Sequence, residues 1–214
     1  MVCTFFNVIG QKRTYLNMLY LLISLPLGII YFTFLVSGIS TGLGMIITLV
    51  GIPLLVLMSF LWYWIAIFER QYTSYFLGID IKPVKNKVSK QKTLWKKIVM
   101  HWKQPITWKS LAYLFIKFPL GIVSFVALVT MISVSVSFIA TPIAYYFLRN
   151  VEGFTFMVIN GVSIIPQAWQ LVFIGIIGVF FLFLSMHILN GLAYVSGLLA
   201  KVLLGEPGKK RKKG

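Results

Sequence analysis

The chain has 214 residues, of which 59% are hydrophobic and only 11% are charged, and its formal net charge at pH 7 is +16. Soluble domains carry about a quarter of their residues as charged side chains, so this composition excludes an ordinary soluble globular protein. Three apolar stretches, residues 16–68, 111–148 and 171–204, each exceed the roughly 20 residues that one helix needs to cross a bilayer. The sequence therefore predicts an all-α integral membrane protein.

The first apolar stretch follows Lys12 and Arg13, as the core of a signal peptide would. It is too long for that role and no small-residue cleavage pattern follows it, so we interpret it as an uncleaved first span. Cys3 precedes the stretch and is the only cysteine of the chain. We expect it to be a free cytoplasmic thiol, because one cysteine cannot form an internal disulfide.

The distribution of basic residues predicts the topology. If each half of the chain forms one helical hairpin, all basic residues except Arg149 fall on one side, which the positive-inside rule assigns to the cytoplasm. We therefore predict four spans in the cell membrane with both termini cytoplasmic.

The alternative topology divides residues 111–148 into two spans, giving five in all. It would place Lys201 and the basic tail outside the cell, against the positive-inside rule. Residues 111–148 would form a helix of about 57 Å, which is much longer than the hydrocarbon core of about 30 Å. We therefore expect a break at Thr141–Pro142.

An internal repeat relates the two halves. The segment YLLISLPLGIIYFTFLV (residues 20–36) aligns with YLFIKFPLGIVSFVALV (residues 113–129) at an offset of 93, with ten identities in seventeen positions. YFLGIDI (residues 75–81) resembles VLLGEPG (residues 202–208) at an offset of 127, which leaves an insertion of 34 residues for the outer loop. An even number of spans per half predicts two parallel repeats, related by a pseudo-twofold axis along the membrane normal.

The repeated PLGI phrase places a proline and a glycine in equivalent helices. We expect Pro26 and Pro119 to kink these helices. Gly28 and Gly121, a turn or less beyond, would let the two backbones approach closely. Small polar residues that would form a ligand cleft or a helix interface are Ser37, Thr48, Thr130, Ser133, Ser137 and Thr141. Ordinary helix packing is the simpler explanation for them.

Aromatic residues spaced from Phe68 to Phe76 predict a separate amphipathic helix on the cytoplasmic face after the second span. We divide the chain into a first repeat (1–81), a Lys-rich cytoplasmic connector (82–110), a second repeat (111–206) with an outer loop at about 142–170, and a basic tail (207–214). Anionic lipid headgroups attract such basic segments. The expected lipid contacts are Lys96, Lys97, Lys209, Lys210, Arg211, Lys212 and Lys213.

No nucleic-acid partner is expected, because the positive-inside rule already accounts for the basic charge. The segment FTFMVINGVSII (residues 154–165) alternates around Asn160–Gly161, the favoured pair for a two-residue hairpin turn. It predicts a small extracytoplasmic β-hairpin that packs on the outer rim or covers a site between the halves.

Acidic residues are scarce: they are Glu69, Asp80, Glu152 and Glu206, and we expect none of them within a span. The sequence has no carboxylate pair, HExxH, CxxC or phosphate-binding glycine loop, so we expect neither catalysis nor a cofactor. His187 and Asn190 share one face of the last span. A functional site and a structural hydrogen bond to a neighbouring helix both stay open for these two residues.

The strings LYLLISLPLGIIYFTFLVSGISTGLGMIITLVGIPLLVL, FERQYTSYFLGI and ITWKSLAYLFIKFPLGIVSF resemble the prokaryotic "putative sensor" membrane domain, over about residues 15–205. That family commonly precedes the kinase module of sensor histidine kinases, so the resemblance implies a signalling role in the cell membrane. No kinase module is present in this sequence. We therefore expect output through a cytoplasmic partner such as a histidine kinase.

These observations predict a non-enzymatic membrane sensor or regulatory module that can also form a homo-oligomer. The alternative is a small transporter or channel, with a path between the repeats lined by Ser37, Thr48, Ser133, Ser137 and Thr141. Transporters coupled to protons or cations place ionisable groups in their spans, and here only His187 qualifies.

Overall fold

The structure is a computed structural model that describes residues 10–82, 102–151, 157–159, 162–164 and 166–205. Its four long helices are α1 (Lys12–Gly44), α2 (Gly51–Leu77), α3 (Pro105–Leu148) and α4 (Ala168–Leu204). All four are long and apolar enough to cross a membrane. The prediction of a helical, multi-pass membrane protein is confirmed at this level. The connector lysines Lys96 and Lys97 and the basic tail lie outside the described residues.

A tight turn joins α1 to α2. The 3₁₀ helix Met45–Thr48 is followed by Leu49 with φ of 60°, and α2 begins at Gly51, where an added Cβ would lie 2.3 Å from the Gly42 carbonyl oxygen. At its other end α2 stops at Gly78, whose φ of 59° is the left-handed conformation of a glycine C-cap. Arg13 Nη2 donates to the Leu77 carbonyl oxygen there, at 2.6 Å. The two helices therefore form an antiparallel hairpin.

Between α3 and α4, the strands β1 (Met157–Ile159) and β2 (Val162–Ile164) pair antiparallel, with Val158 opposite Ser163. The predicted turn residues Asn160 and Gly161 lie outside the described residues. The location of this strand pair on the outer side of the membrane stays a prediction.

The segment predicted to be a separate amphipathic helix belongs to α2, which continues without interruption to Leu77. Its polar residues Glu69 and Thr73 are fully buried, whereas Phe68 and Tyr75 are 52% and 78% exposed. The prediction of a separate element was wrong because the pattern was interpreted for a helix that faces water. In a helix long enough to cross a membrane, the apolar face turns to lipid and the polar face turns inward.

The predicted helix break at Thr141–Pro142 is also wrong, since α3 continues through Pro142 to Leu148. Proline removes one backbone donor and leaves the carbonyl oxygen four residues earlier, that of Phe138, without its helical partner, which membrane helices tolerate. Beside it, Thr141 Oγ1 donates to the Ser137 carbonyl oxygen at 2.7 Å. Gly175 of α4 faces the Pro142 ring, with 3.5 Å between its ideal Cβ position and Pro142 Cγ. The connection between α3 and α4 therefore covers 149–167 rather than the predicted 142–170.

Equivalent positions in the two halves have equivalent burial. Helices α1 and α3 begin 93 residues apart, each after a glutamine, and α2 and α4 end at glycines 127 residues apart, Gly78 and Gly205. Buried pairs at the offset of 93 are Thr14/Thr107, Tyr20/Tyr113, Leu21/Leu114, Ser24/Lys117, Gly28/Gly121, Tyr31/Ser124 and Gly42/Ser135. Buried pairs at the offset of 127 are Gly51/Gly178, Met58/Ser185, Ser59/Met186, Trp62/Leu189, Ala66/Ala193, Glu69/Ser196, Thr73/Ala200 and Leu77/Leu204.

The two halves pack in opposite directions. Along α1, Phe32 contacts Phe115 with ring centroids 5.8 Å apart, Gly28 faces Lys117, and Ser24 faces Gly121, so α1 and α3 run antiparallel. Correspondingly, α2 and α3 run parallel.

Two hydrogen bonds show the parallel direction. Trp102 Nε1, just before α3, donates to Ser59 Oγ at 3.2 Å, and Tyr113 Oη donates to Glu69 Oε1 at 3.1 Å. The predicted common orientation of the repeats is therefore wrong, and the pseudo-twofold axis crosses the helices instead of following them. An alignment shows which residues correspond but not the direction in which they pack.

Helices α3 and α4 are antiparallel, since Ser135 lies beside Ser185 and Gly178 lies beside Ile139. Helices α1 and α4 therefore run in the same direction. Four membrane-crossing helices in this arrangement place the two termini on opposite sides, which disagrees with the prediction of two cytoplasmic termini.

Candidate functional site

An ion pair lies in the interior of the helix bundle. Lys117 Nζ on α3 is 2.7 Å from Glu69 Oε1 on α2, and the side chains are 3% and 0% exposed. The pair joins the two halves of the chain. Sequence analysis expected no acid within a span and counted Lys117 among the cytoplasmic cations. Both expectations were wrong, because each residue lies in a helix long enough to cross a membrane and is buried there.

Three hydroxyl groups surround the Glu69 carboxylate. Tyr31 Oη on α1 donates to Glu69 Oε2 at 3.1 Å, and Tyr113 Oη on α3 donates to Oε1 at 3.1 Å. Thr73 Oγ1, one turn further along α2, donates to Oε1 at 3.5 Å. Helices α1, α2 and α3 therefore all contribute to holding one carboxylate.

The Lys117 ammonium has a second partner besides Glu69. It donates to Tyr20 Oη on α1 at 2.9 Å, and the Tyr20 ring stacks on Tyr72 of α2 at 5.4 Å between centroids. Removing two ions from water costs several kcal/mol per ion, and a buried pair recovers this only when its other polar groups are also bonded. The tyrosines and Thr73 supply those bonds. Losing one partner alone would leave an uncompensated buried charge.

A close helix crossing places Lys117 next to α1. An ideal Cβ on Gly28 would lie 3.0 Å from Phe118 Cα, and one on Gly121 would lie 2.7 Å from the Ser24 carbonyl oxygen. Pro26 and Pro119 lie inside the two helices near this crossing. The structure therefore brings together all four residues of the repeated PLGI phrase that the sequence singled out.

The small polar residues predicted to form a ligand cleft or a helix interface lie away from the ion pair. Ser37, Thr48, Thr130, Ser133 and Ser137 are exposed and Thr141 is half-buried, so none of them belongs to the buried ion-pair site. A part for them in a ligand site stays a prediction. Thr130 donates to its own helix, to the Val126 carbonyl oxygen at 2.7 Å. The buried serine and threonine side chains of α3 are Thr107, Ser110, Ser124 and Ser135, and Ser135 Oγ is 3.3 Å from Ser185 Oγ of α4.

Asn190 forms a polar contact between α4 and α1. Its Nδ2 donates to Thr14 Oγ1 at 3.2 Å, and its Oδ1 accepts from Asn17 Nδ2 at 2.9 Å. His187 Nδ1 lies 2.9 Å from the carbonyl oxygen of Phe183 on the same helix. The structure gives Asn190 a structural role and does not bring His187 to the ion pair.

Sequence reasoning missed Glu69 and Lys117, although one signal was present. Lys117 replaces Ser24 inside the most nearly identical part of the repeat, between a tyrosine and the PLGI phrase. A charge at one of two equivalent apolar positions indicates a specific partner. Among the described residues, no group of three or more His, Cys, Asp or Glu side chains could hold a metal ion.

Four long apolar helices around a sealed ion pair define a multi-pass membrane protein with ionisable groups between its halves. Residues 20–204 match the protein family described as Putative sensor, and the chain belongs to that family. The resemblance seen in the sequence is thereby confirmed. No curated protein and no solved structure matches the chain.

Proposed function

We propose that the protein is a non-enzymatic membrane sensor or regulatory module that signals by a change in the packing of its two halves. The observation that carries this proposal is the Glu69–Lys117 pair, which joins α2 of the first half to α3 of the second. Membership of the Putative sensor family supports it. The pair is the contact that must change when the halves move relative to one another.

A buried ion pair suits a two-state element. In an interior of low dielectric, separating two opposite charges costs far more than in water. Intermediate geometries, in which a charge has left one partner and not yet reached another, are therefore unfavourable. The pair is therefore either closed or broken, and a signal acts by shifting the balance between these two states. Small shifts at packed interfaces are amplified in this way, because such interfaces are bistable.

The output would pass through the cytoplasmic end of α2. Glu69 lies two turns before Leu77, where α2 ends and the Lys-rich connector begins. Movement at the ion pair would displace that helix end. The proposal includes a cytoplasmic N-terminus, contact of the basic segments with anionic headgroups, and a signalling partner such as a histidine kinase.

Site-specific photo-crosslinking in native membranes tests this function. A photoreactive residue at Tyr75, which is 78% exposed near the end of α2, should capture one cytoplasmic protein. The neutral variant Glu69→Gln/Lys117→Met should change the yield of that product. The same residue at Ile47, 93% exposed at the opposite end of the hairpin, is the matched control and should not capture it. Recovery of only lipids and copies of the chain at both positions contradicts the proposal.

A second candidate function, transport, is favoured by one specific observation. Transporters built from repeats of inverted orientation place their coupling sites at the repeat interface near the membrane midplane. Here the halves are oppositely oriented and share a buried ion pair, which removes the objection that only His187 was ionisable within a span. Proteoliposomes with an entrapped pH dye and a potassium gradient distinguish the two functions. A transporter would give proton flux that Glu69→Gln abolishes, and a sensor would give none.

A further inference from the structure

The ion-pair site has a counterpart related by the internal repeat. At the offsets of 93 and 127, Lys117 corresponds to Ser24 on α1 and Glu69 corresponds to Ser196 on α4. Both serines are buried, at 3% and 5% exposure. The bundle therefore holds a charged pair at one of two equivalent places and a pair of hydroxyls at the other. We call Ser24 and Ser196 the serine site.

The two places adjoin. Ser24 and Ser196 line the same small cavity as Lys117, together with Tyr20 and Tyr113. Tyr20, whose hydroxyl accepts a hydrogen bond from Lys117, therefore borders both the ion pair and the serine site. The Lys117 ammonium could approach the serines and keep its bond to Tyr20.

Each charge also has partners of its own. Without Lys117, the Glu69 carboxylate would still accept hydrogen bonds from Tyr31, Tyr113 and Thr73. A lysine ammonium has three N–H donors, and its bonds to Glu69 and Tyr20 use two of them. The serine hydroxyls can accept the third donor, and hydrogen bonds to a charged group are stronger than bonds between neutral groups. An ion pair arranged in this way can open without leaving either charge unbonded.

We propose that the serine site is a second position for the Lys117 ammonium, which switches between Glu69 on α2 and Ser24 and Ser196 on α1 and α4. The switch transfers Lys117 from a partner in the first half to partners that include α4 of the second half. Its meaning as a signal rests on the proposed function. The serine site itself is a property of the bundle and can be tested on the purified protein.

A rescue experiment tests the position of the serine site. Glu69→Ser should lower the midpoint of thermal unfolding, followed by far-ultraviolet circular dichroism in detergent, because it leaves Lys117 without a counter-charge. Adding Ser196→Glu should recover at least half of that loss. Ala193→Glu and Ala200→Glu, at fully buried alanines about one turn away on α4, are the matched controls and should recover nothing. Equal recovery by all three, or by none, overturns the proposal.

If Glu69→Ser fails to accumulate, the same comparison is made on the fraction of monodisperse protein recovered. A coupling experiment then adds an independent measurement. Ser24→Ala/Ser196→Ala should shift the unfolding midpoint at least twofold more in the Glu69→Ser background, where Lys117 depends on the serines, than in the wild-type background. Equal shifts in the two backgrounds contradict the proposal. If the rescued variant is stable but captures no cytoplasmic partner, the sensor function is contradicted and the serine site is still supported.

Discussion

Gly28 of α1 and Gly121 of α3 occupy reciprocal places in one helix crossing. A Cβ on Gly28 would meet the backbone of Lys117 and Phe118, and a Cβ on Gly121 would meet the backbone of Ser24 and Leu25. Each glycine therefore lies against the residues that precede the other in the repeat. This contact sets the distance between α1 and α3, and with it the place at which Lys117 meets Glu69 and Tyr20.

Replacing Gly121 with alanine should destabilise the bundle. The new Cβ would lie 2.7 Å from the Ser24 carbonyl oxygen and 3.0 Å from Leu25 Cα, and both contacts are with backbone that cannot rotate away. Such overpacking typically costs about 1–3 kcal/mol. Gly191→Ala is the control, since no heavy atom lies within 4 Å of its ideal Cβ and alanine is the better helix former. Denaturant unfolding in mixed micelles should rank Gly121→Ala well below wild type and Gly191→Ala at or above it.

Removing one hydroxyl from the Glu69 site should cost more than removing a hydroxyl that has no partner. Tyr31→Phe and Tyr113→Phe each delete one donor to the carboxylate, a loss of about 1.5–3 kcal/mol for a bond to a charged group. Tyr72→Phe is the matched control, because the buried Tyr72 hydroxyl has no hydrogen-bond partner among the described residues. We expect Tyr72→Phe to be neutral or stabilising in the same unfolding assay. A loss equal to that of Tyr31→Phe would contradict the assigned network.

The position of the spans and the correspondence of the halves could be taken from the sequence, because both depend on composition and on identical residues recurring at a fixed offset. The burial of Glu69 could not be predicted from the sequence in the same way. On a helix that faces water, Glu69 and Thr73 would belong to the solvent side of the aromatic pattern around them. In lipid the same pattern places the aromatic residues outside and the polar residues against neighbouring helices.

The orientation of the halves was also beyond the sequence. An offset of 93 pairs Gly28 with Gly121 whether their helices run parallel or antiparallel, so the repeat alone does not choose between the two. The positive-inside rule favoured a common orientation because that arrangement places all basic residues except Arg149 on one side of the membrane. The small polar residues of α3 could not be placed for a related reason: Ser133 and Ser137 have helical spacing but are exposed, and the buried serine between them is Ser135.

Neutralising Lys117 alone should be far more damaging than neutralising both members of the pair. Lys117→Met leaves the Glu69 carboxylate buried without a counter-charge, and breaking a buried pair in this way costs about 3–5 kcal/mol. Lys117→Met/Glu69→Gln removes both charges and keeps an amide oxygen that can accept from a tyrosine. The double variant should recover most of the loss. If it is as unstable as the single variant, the pair is not the dominant contact of this interior.

The direction in which α3 packs on α2 can be tested by disulfide crosslinking, with Cys3 first replaced by serine. Ile67 and Ile106 line one groove, so cysteines at 67 and 106 should crosslink readily on mild oxidation. If α3 instead ran antiparallel to α2 and kept the Glu69–Tyr113 contact, residue 106 would lie near Phe76. Phe76 is about 13 Å from Ile67 along the axis of α2. Cysteines at 76 and 106 are therefore the matched control and should stay reduced. Crosslinking of the second pair and not the first would overturn the opposite orientation of the halves and the serine site that depends on it.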